Sequence, residues 1–347
     1  MDQGDHSIDG YDYPLPPQRI AQEPLAERDA SRLMVLERAS GRLSHRLFRE
    51  LPELLRPGDL LVTNRSRVIP ARLLARRASG GAVEVLLVRP RSDGLWEAML
   101  RPARRLPPGS EAEVAPGFRV RVEPGGAGAL RHVRLLADDG DTAGAVERHG
   151  HVPLPPYIKR PDTAADRERY QTVFAREPGS VAAPTAGLHF TPALLQRLAG
   201  RGIETASLVL HVGPGTFRPV EAQDVREHRV DAERFAIPEE TAAAVGRARA
   251  DERRVVAVGT TVTRALESAV GADGALRAGQ SETGLVIVPG FRFRVVDALL
   301  TNFHLPRSSL LLLVSAFAGR ERVLSAYAQA VAHGYRFYSY GDAMLVV

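Results

Sequence analysis

A chain of 347 residues holds one large domain or two ordinary ones and can bury a core without covalent staples. It contains no cysteine, which excludes disulfides, thiolate metal sites and thiol nucleophiles and fits a reducing compartment. Its formal net charge is +5 with one lysine, Lys159, so nearly every cation is an arginine; that fork suits phosphate and base edges, yet composition alone names no partner.

Residues 1–10 are acidic and polar and read as a loose tail rather than a secretory signal. Residues 11–22 are proline-rich extended chain. Ser31 to Glu37 reads as a strand, Arg46 to Leu55 as a short amphipathic helix stopped by Pro57-Gly58, and Leu60 to Thr63 as an apolar strand. From residue 71 to about 148 the texture changes. Short runs at Val83 to Val88, Trp96 to Leu100, Phe118 to Val122 and Leu130 to Leu136 are separated by Gly and Pro clusters, which predicts an inserted small antiparallel β-barrel.

Beyond residue 150 strands and helices alternate, the mark of an α/β architecture. Thr191 caps a helix with Pro192 at its first position. Ile203 to Val212 is a strand, Thr241 to Ala250 a helix, and Arg254 to Val258 a buried strand leading into a helix that ends near Val270. Leu285 to Val288 and Phe293 to Leu299 read as strands. Leu310 to Ala318 and Arg322 to Ala332 read as helices, and Arg336 to Ser339 and Ala343 to Val347 as closing strands. The expected fold is a discontinuous α/β main domain (11–70 and 149–347) carrying the inserted barrel (71–148). The most apolar run, Leu310 to Ala318, is far short of the roughly 20 residues of a membrane span, so the chain reads as cytoplasmic, with no membrane partner.

In α/β sheets ligands bind beyond the carboxyl ends of strands. Polar clusters fall there: Asn64 to Arg67, His211 to Thr216, Gly259-Thr260-Thr261 and Thr301 to His304. Gly259-Thr260-Thr261 opens a helix whose free N–H groups favour an anion, and in isolation reads more readily as a plain turn with a cap. His189 and His304 are as readily core residues as catalytic ones. The run His228-Arg229-Val230-Asp231-Ala232-Glu233 offers acid, base and orienting groups, or a solvated charged loop. His149 and His151 lack a nearby third ligand, so no metal is expected. There is no dinucleotide fingerprint, phosphate loop or nucleophile elbow.

The wording of these loops is more specific than their spacing. RDASRLMVL (28–36), RVIPARL (67–73), HVPLPPYIKR (151–160), RYQTVFA (169–175), VAAPTAGLHFT (181–191), LHVGPGTFRPV (210–220), VGTTVTRALES (258–268), VDALLTNFHLP (296–306) and FYSYGDAML (337–345) occur in order. In these segments the chain resembles the S-adenosylmethionine:tRNA ribosyltransferase-isomerases, which form epoxyqueuosine. The resemblance runs from about Tyr11 to Val347. It implies S-adenosylmethionine as co-substrate, no prosthetic group, and tRNA bearing 7-aminomethyl-7-deazaguanine as acceptor. The ribosyl unit moves to the aminomethyl nitrogen and rearranges to an epoxycyclopentanediol, and adenine and methionine leave. The chemistry needs a base and an acid, and histidine serves either.

On that resemblance the acid–base candidates are His189, His211, His228 and His304, unranked, with Asp231 and Glu233. The donor-binding candidates are Thr185, Gly187, Gly213, Gly215, Thr216, Gly259, Thr260, Thr261, Arg264 and Asn302. Within that set Gly259 to Thr261 together with Arg264 would take the methionine carboxylate. Asn64, Arg67, Tyr157, Lys159 and Arg160 would meet the acceptor RNA, and the enzyme would act as a monomer. Two positions depart from the family pattern: Asp231 stands where a second histidine is usual, and Arg65 breaks the run after Asn64. A relative acting on a small-molecule acceptor and a non-catalytic tRNA-binding protein are the other readings.

Overall fold

The computed structural model describes residues 6–91, 94–217 and 219–347, the side chains of Arg105, Thr216 and Phe217 excepted. The first stretch contains β1 (Arg32–Leu36), β2 (Leu43–Leu47), helical turn α1 (Leu51–Leu54), β3 (Leu60–Asn64) and β4 (Ser66–Val68). Next come β5 (Arg72–Arg77), β6 (Ala82–Pro90), β7 (Leu95–Arg101), β8 (Glu111–Ala115), β9 (Phe118–Glu123) and β10 (Leu130–Ala137), then α2 (Thr142–His149) and α3 (Asp166–Arg169). The remainder is β11 (Glu177–Ser180), α4 (Pro192–Gly200), β12 (Glu204–Leu210), β13 (Glu233–Ile237), α5 (Glu239–Ala250), β14 (Val255–Val258), α6 (Thr260–Ala269), β15 (Gly279–Thr283), β16 (Ala298–Asn302), α7 (Ser309–Ala318), α8 (Arg320–Ala332) and β17 (Ala343–Val346).

A nine-stranded sheet runs in the order β15-β13-β12-β3-β14-β16-β17-β1-β2. Its centre, β12-β3-β14-β16, is parallel. Strands of period two covered on both faces must be apolar throughout. Accordingly Leu60, Val62, Val255, Ala257 and Leu299 pack with α5, α6, α7 and α8 on one face. Leu61, Val256, Val258, Ala298 and Leu300 pack with Phe48, Phe190 and α4 on the other. Strands β5 to β10 close into a separate antiparallel barrel, as expected. Alternate residues such as Leu73, Val83, Val85, Leu87, Ala98, Val120 and Val133 fill it, and Ala145 and Val146 of α2 join that core.

Several local expectations need correcting. Residues 46–55 are not one helix: Leu43–Leu47 pairs with β1, and only Leu51–Leu54 is α-helical. Phe48, Leu51 and Leu55 do share a buried side, which imitates helical periodicity, but Pro52 fits only the first turn of a helix, so none can extend through it from upstream. Leu285 to Val288 lies outside any strand. The strand there is Gly279–Thr283, polar and exposed along most of its length, at the sheet edge where no apolar alternation is required. The strand placed at Phe293 to Leu299 is Ala298–Asn302. Residues 336–339 form a turn with Tyr338 at φ 72° and only an isolated Ile20–Phe337 bridge. Helix α2, capped by Asp141 on the Gly144 N–H at 2.8 Å, was not anticipated. Nor are residues 6–10 loose: Ile8 is fully buried and its N–H donates to the Gln223 carbonyl at 2.9 Å. Residues 1–5 of the expected tail lie outside the described residues.

Candidate active site

Parallel strands place their carboxyl ends on one edge of the sheet, and the loops that follow β12, β14 and β16 converge there. They border two neighbouring cavities of about 380 Å³ and about 50 Å³ that share Val212 and Leu310. The larger is walled by residues 211–215, the 230–234 approach to β13, Arg264, residues 285–287 and the start of α7. The barrel closes it with Val88, Arg89, Glu97 and Leu130.

In the larger cavity Glu233 and Arg264 form an ion pair, each only 8% exposed. Glu233 Oε1 accepts the Gly213 N–H at 2.8 Å, and its Oε2 faces Arg264 Nη1. Arg264 also donates to the carbonyls of Leu285 at 2.9 Å and Thr283 at 3.3 Å. One pair thereby fixes α6, β13, the 283–285 turn and the Gly213-Pro214-Gly215 loop together. Asp231 is exposed on the cavity wall, where a methyl group on Gly215 would stand 3.1 Å from its Oδ2. His211 lies on the same wall. Burial lowers its pKa, helped by Arg234 and opposed by Glu177. On the barrel side Glu97 is buried between Arg89 and Arg91, and Arg89 reaches across to Glu282 of β15 at 3.7 Å.

The smaller cavity ends at the N-terminus of α6. Gly259 holds φ at 96°, a conformation that favours glycine, and lets the chain turn from β14 into the helix. Thr260 and Thr261 are buried there, and Thr261 Oγ1 has no hydrogen-bond partner among the described residues. First-turn N–H groups with a buried unpaired hydroxyl form an anion-accepting end. Thr185, Tyr157, Asn302 and His304 complete the lining. His304 bonds Thr301 Oγ1 through Nε2 at 2.9 Å, and burial pushes its pKa down to about 3, so it is neutral at ordinary pH. Asn302 Nδ2 donates to the Tyr338 carbonyl at 2.8 Å. The Tyr157 and Tyr338 rings meet edge to face at 3.8 Å, and Tyr157 Oη bonds Ser339 Oγ at 2.5 Å.

Nine of the expected residues other than acid–base candidates thus line the cavities, but they are split. Gly259, Thr260 and Thr261 open on the small one and Arg264 on the large one, so helix end and guanidinium border different cavities. Of the acid–base candidates, His211, Asp231, Glu233 and His304 line the cavities, and His189 and His228 do not. His189 is stacked on Phe48 with Nδ1 on Ser31 Oγ at 2.7 Å. Burial lowers its pKa to about 4, against the favourable side chain of Asn302. His228 is half-buried on the following loop, its pKa lowered by burial and by Arg229.

Asn64 is 2% exposed, and its amide is consumed by the Leu210 N–H and carbonyl and the Ser66 N–H. Gly187 is buried against Thr172. Arg67 is exposed and pairs with Glu147 at 3.0 Å; Lys159 is exposed. Arg160 is occupied by Asp166 at 2.7 and 2.9 Å. The side chain of Thr216 lies outside the described residues. The sequence reading missed Arg89, Glu97 and Leu130 of the barrel, Glu282, Ser309, Tyr338 and Ser339. Tyr338 and Ser339 sit inside the FYSYGDAML segment and could have been found there; the barrel residues carried no signal.

The family described as queuosine biosynthesis protein matches residues 8–346. A curated relative from Thermus thermophilus, named S-adenosylmethionine:tRNA ribosyltransferase-isomerase, is 58% identical over 98% of this chain and 99% of its own. The chain belongs to the queuosine biosynthesis protein family. A second member of that name, from Moorella thermoacetica, is 53% identical, again over 98% of this chain and 99% of its own. The crystal structure of the S-adenosylmethionine tRNA ribosyltransferase of Thermotoga maritima is 38% identical with a TM-score of 0.56, covering 97% of this chain and 99% of that one. As a family member, the chain carries its two cavities at the strand ends where α/β sheets hold ligands. Among the described residues no three His, Asp or Glu side chains are grouped to hold a metal, and no helix is long and apolar enough to cross a membrane.

Proposed function

We propose that this protein transfers the ribosyl unit of S-adenosylmethionine to 7-aminomethyl-7-deazaguanine in tRNA and isomerises it to the epoxycyclopentanediol, releasing adenine and methionine. The observation that carries the reading is full-length relatedness to enzymes of that name. A cavity of about 380 Å³ beside a smaller one that ends at an anion-accepting helix end suits a nucleoside joined to an amino acid. In this reading the nucleoside occupies the larger cavity and the methionine carboxylate meets the first turn of α6 at Thr260 and Thr261. Arg264 supports the wall through Glu233 rather than gripping the carboxylate.

Arg67 and Lys159 are the exposed cations of the expected RNA-contact set, and Tyr157 offers an aromatic surface to either substrate. Residues 11–70 with 149–347, and 71–148, are proposed as two domains, with the cavity where they meet. Action as a monomer fits the described residues, in which the exposed large apolar side chains are Leu47, Leu74 and Val173, and a cytoplasmic location fits a tRNA substrate.

The carboxylate assignment has its own test. Thr261→Val removes a buried hydroxyl without changing shape. S-adenosylmethionine affinity measured by calorimetry is expected to fall by about 10- to 100-fold, the scale of one hydrogen bond to a charged group. Thermal stability is expected to hold or rise, because an unpaired buried hydroxyl is gone. Unchanged affinity would remove the carboxylate from α6.

A further inference from the structure

We propose that His211 is the base that removes a proton from the sulfur-bearing ribose carbon of S-adenosylmethionine, and that Gly179 positions its ring; this rests on the ribosyl-transfer reading above. Of the four candidate histidines only His211 lines the cavity large enough for a nucleoside. His304 lines the cavity of about 50 Å³ and spends Nε2 on Thr301. His189 is stacked under Phe48 with Nδ1 on Ser31. His228 borders neither cavity. Glu233, the carboxylate next to His211 on the wall, has both oxygens engaged by Gly213 and Arg264.

The seat of the ring is specific. Gly179 holds φ at 136°, which favours glycine, at a register irregularity between Pro178 and Ser180 in the pairing of β11 with β4. A methyl group built there would stand 2.9 Å from both Cε1 and Nδ1 of His211, so the imidazole rests directly on the glycine backbone. The segment is tied to the His211 loop: Ser180 Oγ accepts the Val212 N–H at 3.1 Å and the Val181 N–H donates to the Val212 carbonyl at 3.0 Å. Nδ1 is buried and has no hydrogen-bond partner among the described residues. Nε2 is therefore the nitrogen left to meet substrate.

The step balances. The C–H bond breaks, its electron pair stays on the carbon beside the positive sulfur, and the proton goes to Nε2. The imidazolium then holds a proton for the departing adenine. The charged groups around the ring are Arg234 and Glu177 at its sides, with Asp231, the Glu233–Arg264 pair, and Arg89, Glu97 and Glu282 around the same cavity. Burial and Arg234 together keep the imidazole neutral, the form a base needs, at neutral pH.

The test uses the full chain, S-adenosylmethionine and tRNA bearing 7-aminomethyl-7-deazaguanine, and follows adenine release, deuterium uptake from heavy water at the sulfur-bearing carbon, and donor affinity. His211→Gln is expected to lower both kcat and deuterium uptake by about 10²- to 10⁴-fold, the range of a lost acid–base group, with donor affinity and thermal stability retained. Gly179→Ala is expected to lower kcat by about 10²-fold through misplacement of the ring, to shift the acid limb of the pH profile, and to add no loss when combined with His211→Gln. Wild-type uptake and turnover in His211→Gln would overturn the proposal while leaving the transfer reading intact. A further loss in the double variant would overturn the role of Gly179. A wild-type protein that releases no adenine would overturn the transfer reading, and this proposal with it.

Discussion

Arg264→Met is expected to destabilise the protein by about 3–5 kcal/mol, the cost of leaving one member of a buried ion pair alone, and to abolish turnover. Both partners are 8% exposed, so Glu233 has little contact with solvent to replace the guanidinium. The carbonyls of Leu285 and Thr283 lose their donor at the same time. Because Glu233 also holds the Gly213 N–H, the wall of the larger cavity loosens where the donor is to bind. Glu233→Gln is expected to be milder, since an amide oxygen still accepts from Gly213. A Glu233→Leu, Arg264→Met double variant should regain much of the stability, because an apolar pair costs no desolvation, but not the turnover. Chemical denaturation read alongside adenine release checks this. An unfolding midpoint unchanged in Arg264→Met would show that the pair does not brace the site.

Asp166 is the second point of large expected effect. It is 2% exposed and accepts from Arg160 through both oxygens, from Tyr340 Oη at 2.8 Å and from the Thr163 N–H at 2.8 Å. Burial pushes its pKa up, but Arg160 and the hydrogen bonds from Thr163 and Tyr340 outweigh that and hold it well below the usual carboxylate range. A depressed folded pKa contributes stability that is fully present above the unfolded value, near ~3.9, and is lost as pH falls through the folded one. Asp166→Asn is therefore expected to cost on the order of 3 kcal/mol at neutral pH by leaving Arg160 unmatched. The gap to wild type should close progressively as pH falls below about 4. Thermal melts of both proteins from pH 7 to pH 2 measure it, and a gap that stays constant across the range would contradict the assignment. Asp166 also anchors Tyr340, next to Tyr338 and Ser339 on the small cavity, so donor affinity should weaken with it.

At β3 and β14 the parallel centre of the sheet was legible because both faces are covered and every residue had to be buried; β16, equally buried, was placed too early in the chain. The same logic fails at the edges. β15 is polar because most of it faces solvent, and β2 is mostly polar and exposed at the other edge. Helix α2 is weakly apolar and rests on the barrel through Ala145 and Val146, too little to register as a periodic stripe. At the site, Gly259 to Thr261 and Thr301 to His304 were each legible as polar clusters at strand ends, and it is the parallel pairing of β14 with β16 that brings them together. That Arg264 would turn to the other cavity depends on Glu233, 31 residues away on an antiparallel strand, which local spacing does not reveal. The histidines could not be ranked from sequence either. What separates His211 from His189 and His304 is burial and which cavity each borders, a property of packing rather than of motif.

The most direct measurement is the fate of the donor's ribosyl carbons. S-adenosylmethionine labelled in the ribose would be incubated with the purified protein and tRNA bearing 7-aminomethyl-7-deazaguanine, and the tRNA, adenine and methionine counted. Label entering the tRNA, with one adenine and one methionine released for each ribosyl unit and an epoxycyclopentanediol nucleoside on digestion, is the predicted result. Donor binding without label transfer to this tRNA would contradict it and point to a small-molecule acceptor, and tRNA binding without donor turnover would leave a protein that holds RNA and does no chemistry.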